Sequence, residues 1–469
     1  MGYLCEAWNK WFDSFDLVRR AHRKLLKAGS FTVPSAVEGR FKVKSLELKI
    51  QFSICHKPYV ICCCRVVFLL WLIILGGCKA RQLGRTTPQM DIGPKFWVRV
   101  LLLDNATACT LKVESPFAVL DAQTQATEAR FEQSDLPAEV TISEGRIAVA
   151  GRLFPSEQII ISPDEPYIFN LSGDEYRGKL ELIVNPDSNS FDAINLVPIE
   201  PYLAGVIRAE MPNYWEPEAL KVQAIAARTY CLYIKKCFGD GRNWDVTKTQ
   251  ANQRYLGVAA ESAQVWNAVN QTYGRVLVCK QADGNIGLFP AYYSSSCGGH
   301  TENSKNVFGD SFEPLGGVPC SYCESVAKSD FFFWPTVWFD KTTVSDRLLK
   351  RYPKLAELEK IIDVNAVGQS DYGGYSRLTR IEIAGSNGKK DFLRAEDFRL
   401  AIDPSGQGVK SAICRIINTG DKWAFVQGRG FGHGVGMCQC GAEGMARQGK
   451  TTKQILFYYY PGSGIVRVY

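Results

Sequence analysis

Histidine is scarce in this 469-residue chain, with four in all, and two of them (His22 and His56) precede residue 77. The remaining body therefore has only His300 and His433. No H-E-x-x-H sequence occurs, which excludes a zincin peptidase. No G-x-S-x-G elbow occurs either; if His300 binds metal, His433 alone is left to serve a Ser or Cys triad. Charge of one sign is also missing from the body. The net charge of +7 comes from residues 1–77, which carry 12 Lys/Arg against 5 Asp/Glu and leave 43 of each beyond. That balance leaves no electrostatic footprint for nucleic acid, and no RNA- or DNA-binding motif is present. The glycine-rich Gly428-Arg-Gly-Phe-Gly-His-Gly-Val-Gly436 lacks both a G-x-G-x-x-G register and a following Lys-Ser/Thr, so it is no nucleotide loop. Its glycines instead let backbone approach a ligand or another segment closely. Internal repeats and low-complexity tracts are absent. What is present has the composition of a globular protein, 46% hydrophobic and 22% charged, with chain enough for roughly two to four domains and a buried core.

In chain order, residues 1–57 form a basic N-terminal extension with an amphipathic stretch around Val18–Lys27. It reads either as a surface helix or as the product of a start codon placed too far upstream. Residues 58–78 read as a signal or anchor. His56, Lys57 and Arg65 make a positive flank, and Val66–Gly77 is a short apolar run ending in small residues, the layout of a secretory signal. Leu75-Gly-Gly-Cys78 is similar to a bacterial lipobox, in which Cys78 would be lipidated. The other reading is an uncleaved anchor, since Pro58–Gly77 is about long enough to span, although Arg65 interrupts it. Either places the body outside the cytoplasmic membrane, tethered to it by lipid or anchor. Residues 79–93 are a polar tether. Residues 94–190 alternate at period two in several short runs, Phe96-Trp-Val-Arg-Val and Lys179-Leu-Glu-Leu-Ile-Val among them, and form a β-rich part. Residues 191–469 mix helices (216–236, 259–273, one or two in 341–362) with strands (274–279, 376–385, 410–427). The class is α+β, with elements interleaved irregularly rather than as βαβ units.

Function concentrates in Val197–Met211 and the helix that follows. Pro217 suits a first helical turn, Glu216 and Glu218 place negative charge at the positive end of the dipole, and Leu220, Ala224, Ala227, Cys231 and Ile234 form one apolar stripe. Glu210-Met211-Pro212 breaks regular structure, because the residue before a proline is pushed out of the helical region. A carboxylate on such a bend, beside Met211, Tyr214 and Trp215, is a candidate general acid if desolvation raises its pKa; otherwise it is an exposed pre-helix acid. Cys297-Gly-Gly-His300 and Cys320-Ser-Tyr-Cys323 have metal-ligand spacing at both ends, and a structural Cys₃His zinc site fits them. Disulfide bonding and a redox pair are the competing readings.

Ile199-Glu-Pro-Tyr-Leu, Glu210-Met-Pro and Ala-Leu-Lys-Val-Gln-Ala-Ile-Ala-Ala-Arg-Thr-Tyr230 together resemble the signature of the stage II sporulation protein D (SpoIID) family of peptidoglycan-cleaving proteins. Gln253-Arg-Tyr-Leu-Gly257, Tyr293-Ser-Ser-Ser-Cys-Gly-Gly-His-Thr-Glu302, Gly430–Gln439 and Ile455-Leu-Phe-Tyr-Tyr-Tyr-Pro-Gly462 match in the family's order. The resemblance runs from about Lys95 onward. It implies a glycan-binding groove and a lytic transglycosylase acting on MurNAc–GlcNAc β-1,4 bonds, in strands stripped of peptide, with Glu210 as the catalytic acid. It also implies substrate-binding roles for Arg228, Gln253, Tyr255, Ser295, His433 and Gln439, with Arg228 alternatively supporting the fold. No cofactor is required for that chemistry, and some members hold a metal near the Ser-x-x-Gly-Gly segment. The family pattern has Ser and an aromatic where this chain has Cys438 and Cys440, which points to a local disulfide or free thiols. Some similar proteins are amidase enhancers, so the alternative is a non-catalytic glycan-binding module that recruits or stimulates a cell-wall amidase. A conventional hydrolase would instead need a second acid such as Glu200 or Glu302.

Overall fold

The computed structural model describes residues 96–133 and 137–469. The segments 1–57, 58–78 and 79–93, including Cys78, lie outside the described residues. Two antiparallel-rich sheets make up the β-rich part. The larger has seven strands in the order Val246–Thr247, Trp97–Ala106, Ser190–Pro198, Lys179–Asn185, Gln158–Pro163, Phe117–Asp121, Thr127–Phe131. The smaller has six, running from Asp174–Arg177 at one edge to Arg152–Leu153 at the other. Their alternation is the one the sequence carries: Val98, Val100 and Leu102 are buried while their neighbours on Trp97–Ala106 face outward.

The helices of eight residues or more are α1 (Ile199–Glu210), α2 (Pro217–Phe238), α3 (Ala263–Gln271), α4 (Lys341–Arg351), α5 (Ala395–Ile402), α6 (Gln439–Arg447) and α7 (Thr452–Tyr459). None of the described helices is long and apolar enough to cross a membrane. Strand Ser190–Pro198 pairs on both sides and runs directly into α1. The residues of α1 from Ile199 to Ile207 are all buried, so this helix crosses the core and surfaces only in its last turn. Met211 ends it in extended conformation (φ −132°, ψ 141°) because Pro212 follows. Pro217 does sit in the first turn of α2. The expected stripe is buried there, but so are Gln223, Arg228 and Thr229 from other faces. A helix buried nearly all round belongs at the centre of a core, and α1, α3, α6 and α7 all pack on α2.

A second hydrophobic cluster lies under residues 334–425. Val344 and Leu348 of α4, Phe398 and Ile402 of α5, and Ile381, Ile383, Trp423 and Phe425 from two three-stranded sheets form it. The one or two helices expected within 341–362 are α4 and a 3-10 helix over Pro353–Leu358; Pro353 stops α4 at Arg351, and Ile361 opens the strand Ile361–Asp371. The helix expected at 259–273 starts later, at Ala263, where the Ser262 hydroxyl accepts from Val265 N.

Candidate active site

Glu210 is the last residue of α1, where the negative end of the helix dipole opposes a carboxylate. It is half-buried. Burial raises its pKa above the usual carboxyl range, and two donors work against that shift: the Arg254 backbone N–H to Oε1 at 3.0 Å and Gln439 Nε2 to Oε2 at 3.4 Å. Gln439 is the first residue of α6, whose next N–H groups are taken by Ser295 O and Cys438 Sγ, so the helix reaches the carboxylate through the Gln439 side chain. The net environment favours the acid form yet retains hydrogen bonds for the ionised form. Both are useful to a group that must give a proton and take one back.

A layer of amides and hydroxyls supports this position from below. Gln439 Nε2 also approaches Gln223 Oε1 at 3.5 Å. Gln253 is 1% exposed, accepts from the Tyr202 hydroxyl at 3.0 Å, and donates to Ala227 O and to the Tyr293 hydroxyl at 3.2 and 2.8 Å. Tyr255 is buried against Tyr202 and Tyr176, its hydroxyl on Asn195 Oδ1 at 2.9 Å. Both residues are buried and back the Glu210 position through these bonds instead of presenting a free polar edge. Arg228 is also sealed, at 0% exposure. Its Nε and Nη2 bond Glu200 at 3.0 and 2.6 Å, and Nη1 bonds Arg275 O at 3.0 Å. Of the two roles expected for Arg228, this geometry serves the support of the fold.

His433 occupies the glycine-rich turn. Its Nδ1 accepts from Val435 N at 3.0 Å and its Nε2 faces Tyr293 O at 2.9 Å, so the neutral ring with hydrogen on Nε2 satisfies both. Burial pushes its pKa down to about 4. It thus clamps the 431–438 segment to Tyr293. Glycine is required nearby at Gly436, where φ is +70° and an added Cβ would lie 2.0 Å from Tyr292 O. Ser295 lies on the same segment as Tyr293, its carbonyl accepting from Cys440 N at 3.0 Å.

The thiol cluster differs from expectation in one ligand. Cys297, Cys320 and Cys323 do converge, but the fourth member is Cys438 and not His300; the four Sγ atoms lie within 4.8 Å of one another and all are buried. His300 turns away, donating Nδ1–H to Thr301 O at 2.6 Å and stacking on Tyr372 at 4.1 Å. A tetrahedral site with Zn–S bonds of about 2.3 Å has sulfurs about 3.8 Å apart, and Cys297 Sγ and Cys323 Sγ are 3.7 Å apart. Hydrogen bonding among the thiols lowers the pKa of Cys320 and Cys323 while burial pushes Cys297 and Cys438 up, so the sulfur spacing is what argues for a metal. The donor set therefore fits a closed four-thiolate zinc site. Cys438 also caps α6, accepting from Gly441 N at 3.3 Å, directly before Gln439.

The two acids that a hydrolase would recruit are both committed. Glu200 is 2% exposed and holds Arg228, Gly274 N and the Tyr469 hydroxyl. Glu302, also 2% exposed, accepts from Asn303 N, Asn306, Ser370 and Tyr372. Sequence reasoning missed Gln223 and the place of Cys438 in the thiol cluster. The first had a signal, a lone amide within the Val222–Ala227 run of apolar residues. The second was marked only as a departure from the family's pattern.

The SpoIID family model, described as Stage II sporulation protein, matches residues 187–279. The chain is 33% identical over 298 residues to an uncharacterized protein of Brachyspira hyodysenteriae, covering 64% of this chain and 74% of that one. It is 30% identical over 290 residues to Stage II sporulation protein D of Bacillus subtilis, covering 58% and 76%. An amidase enhancer of Bacillus subtilis is 28% identical over 338 residues, covering 63% of this chain and 44% of that protein.

Proposed function

The chain belongs to the stage II sporulation protein D family, and on that premise we propose that it is an extracytoplasmic lytic transglycosylase of peptidoglycan with Glu210 as its one acid–base residue. The observation that carries this reading is the setting of Glu210: a half-buried carboxyl with a raised pKa, held between Arg254 N–H and Gln439, while Glu200 and Glu302 are buried and fully engaged. Ordinary glycosidases need two carboxylates. A transglycosylase needs one.

The Glu210 carboxyl gives its proton to the glycosidic oxygen as the C1–O4 bond of a MurNAc–GlcNAc link breaks through an oxocarbenium-like state. The Glu210 carboxylate, now hydrogen-bonded by Arg254 N–H and Gln439, takes the proton of the muramyl C6 hydroxyl as O6 closes on C1. The product ends in 1,6-anhydroMurNAc, Glu210 is reprotonated, and no water is consumed. Cys297, Cys320, Cys323 and Cys438 would hold a zinc ion that supplies rigidity to the cleft wall. With four protein ligands the ion has no open position for chemistry.

The test is mass spectrometry of sacculi and of peptide-stripped glycan treated with the protein or with Glu210→Gln. Anhydro-ended fragments that disappear in the variant are expected. Reducing ends would replace the transglycosylase by a hydrolase and require a second acid. Similarity to the amidase enhancer supports a second reading, a glycan-binding module that stimulates a cell-wall amidase. Retained binding without cleavage by either protein would favour it.

A further inference from the structure

The segment that pairs with Ser296 carries, with residues 328–333, a patch that the chemistry above does not use. Phe331 and Phe431 pack edge to face at 4.8 Å. Lys328 Nζ lies 5.6 Å from the Phe331 ring and Lys410 Nζ 5.8 Å from it, so two ammonium groups share one ring. Arg429, two residues before Phe431, holds its guanidinium 4.3 Å from the Tyr375 ring, 4.7 Å from Phe332 and 5.1 Å from Phe333, which is 55% exposed. Among the described residues, none of these three cations has a carboxylate partner, and neighbouring Asp330 forms no ion pair with them. Like charges gathered without counter-charge repel one another, and cation–ring contacts offset only part of that. Such a patch is complementary to a ligand that brings apolar faces and negative charge together.

The patch is joined to the acid by one segment. Phe431 and Ser296 exchange backbone hydrogen bonds at 2.8 and 3.0 Å, and Arg429 Nε donates to Gly298 O. At the other end of this segment the Tyr293 hydroxyl meets Gln253. Tyr293 to Gly298 spans at most about 17 Å of extended chain. A glycan strand lying along the wall would reach both.

We propose that Lys328, Lys410 and Arg429, with the rings of Phe331, Phe333 and Phe431, form an outlying subsite for a muramyl residue bearing a free lactyl carboxylate. This rests on the glycan-cleft reading above and gives it a basis for selectivity. In intact peptidoglycan the lactyl group is a neutral amide and the carboxylates of the stem peptide lie farther out, whereas removal of the peptide places one negative charge on each muramyl unit itself. Preference for stripped strands is then an electrostatic readout by these cations.

Binding in the full chain carrying Glu210→Gln separates this proposal from catalysis. The probes are peptide-free glycan strands and the same strands with their lactyl carboxylates converted to methylamides. Tighter binding to the free strands, narrowing as salt rises, is expected. Lys328→Gln with Lys410→Gln is expected to weaken binding to free strands about two- to fivefold per lysine and to abolish the difference between the probes. The Lys→Arg pair at the same positions keeps the charge and should keep the difference, which guards against a folding defect. Equal binding of both probes by the parent, or undiminished discrimination by the Lys→Gln pair, overturns the proposal. Discrimination in a protein that forms no anhydro ends would retain the subsite and refute the transglycosylase reading; anhydro ends without discrimination would do the reverse.

Discussion

Arg228 gives the sharpest test of how the cleft is built. Its guanidinium is fully buried, and burial works against its charge, yet the Glu200 carboxylate holds it protonated above its ordinary value. Removing it in Arg228→Ala strands Glu200 in the core with only Gly274 N and the Tyr469 hydroxyl as donors, and leaves Arg275 O without its partner. Breaking one side of a buried pair costs about 3–5 kcal/mol, a large share of the roughly 5–15 kcal/mol that stabilises a domain. Urea unfolding followed by tryptophan fluorescence should show that loss. Replacing both partners by apolar residues, Glu200→Leu with Arg228→Met, should recover much of it, because no charge is then buried alone. An Arg228→Ala protein that unfolds at the wild-type midpoint but no longer binds glycan would refute the reasoning and return Arg228 to substrate contact.

The remaining expectations concern titration and the thiols. His433 has a folded pKa of about 4 against an ordinary value of 6.5, so the unfolded chain takes up its proton first; stability is full above pH 6.5 and about 3 kcal/mol is lost as pH falls to 4. His433→Gln should flatten that slope, and a midpoint already level from pH 7 to 4.5 in the wild type would count against it. Glu210 shows the opposite sign: its raised pKa means its contribution is present at low pH and lost as pH rises through the folded value. Glu210→Gln should therefore be more stable than wild type at pH 7 and equal to it below the ordinary carboxyl pKa; a less stable variant at pH 7 contradicts the assignment. Gln439→Leu removes a donor to the ionised carboxylate, so the alkaline limb of the cleavage rate should move up in pH; a downward move would reverse the argument. Elemental analysis should find about one zinc per chain, lost in Cys438→Ser and kept in His300→Ala; the opposite pattern would restore His300 as the ligand.

Much of the architecture could be read from local pattern because it depends on local rules. Alternation marked the strands, Pro217 marked the start of α2, and Met211-Pro212 marked the break at Glu210. Long-range facts were harder. Whether Arg228, Gln253 and Tyr255 face substrate or core depends on partners tens of residues away, Glu200, Tyr202 and Asn195, and nothing in their own neighbourhood reports it. The thiol site shows the same limit. Spacing identified Cys297, Cys320 and Cys323, but a loop cannot announce that the fourth thiol of the cluster comes from Cys438, 115 residues beyond Cys323. His300, adjacent in sequence, was the nearer candidate, and its ring is committed to Tyr372.

That separation also sets an order of assembly. Cys320 and Cys323 are three residues apart, whereas Cys438 must close a loop of more than a hundred residues before it can join them. Closure entropy makes the long loop the later event. Under the zinc-site proposal, a chain folding where thiols oxidise has two routes: the short pair is captured by a metal ion and waits, or it oxidises to itself and leaves Cys438 without company. On the zinc-site proposal, metal supply during folding would decide whether Cys438, and with it the seat of the adjacent Gln439, reaches its place.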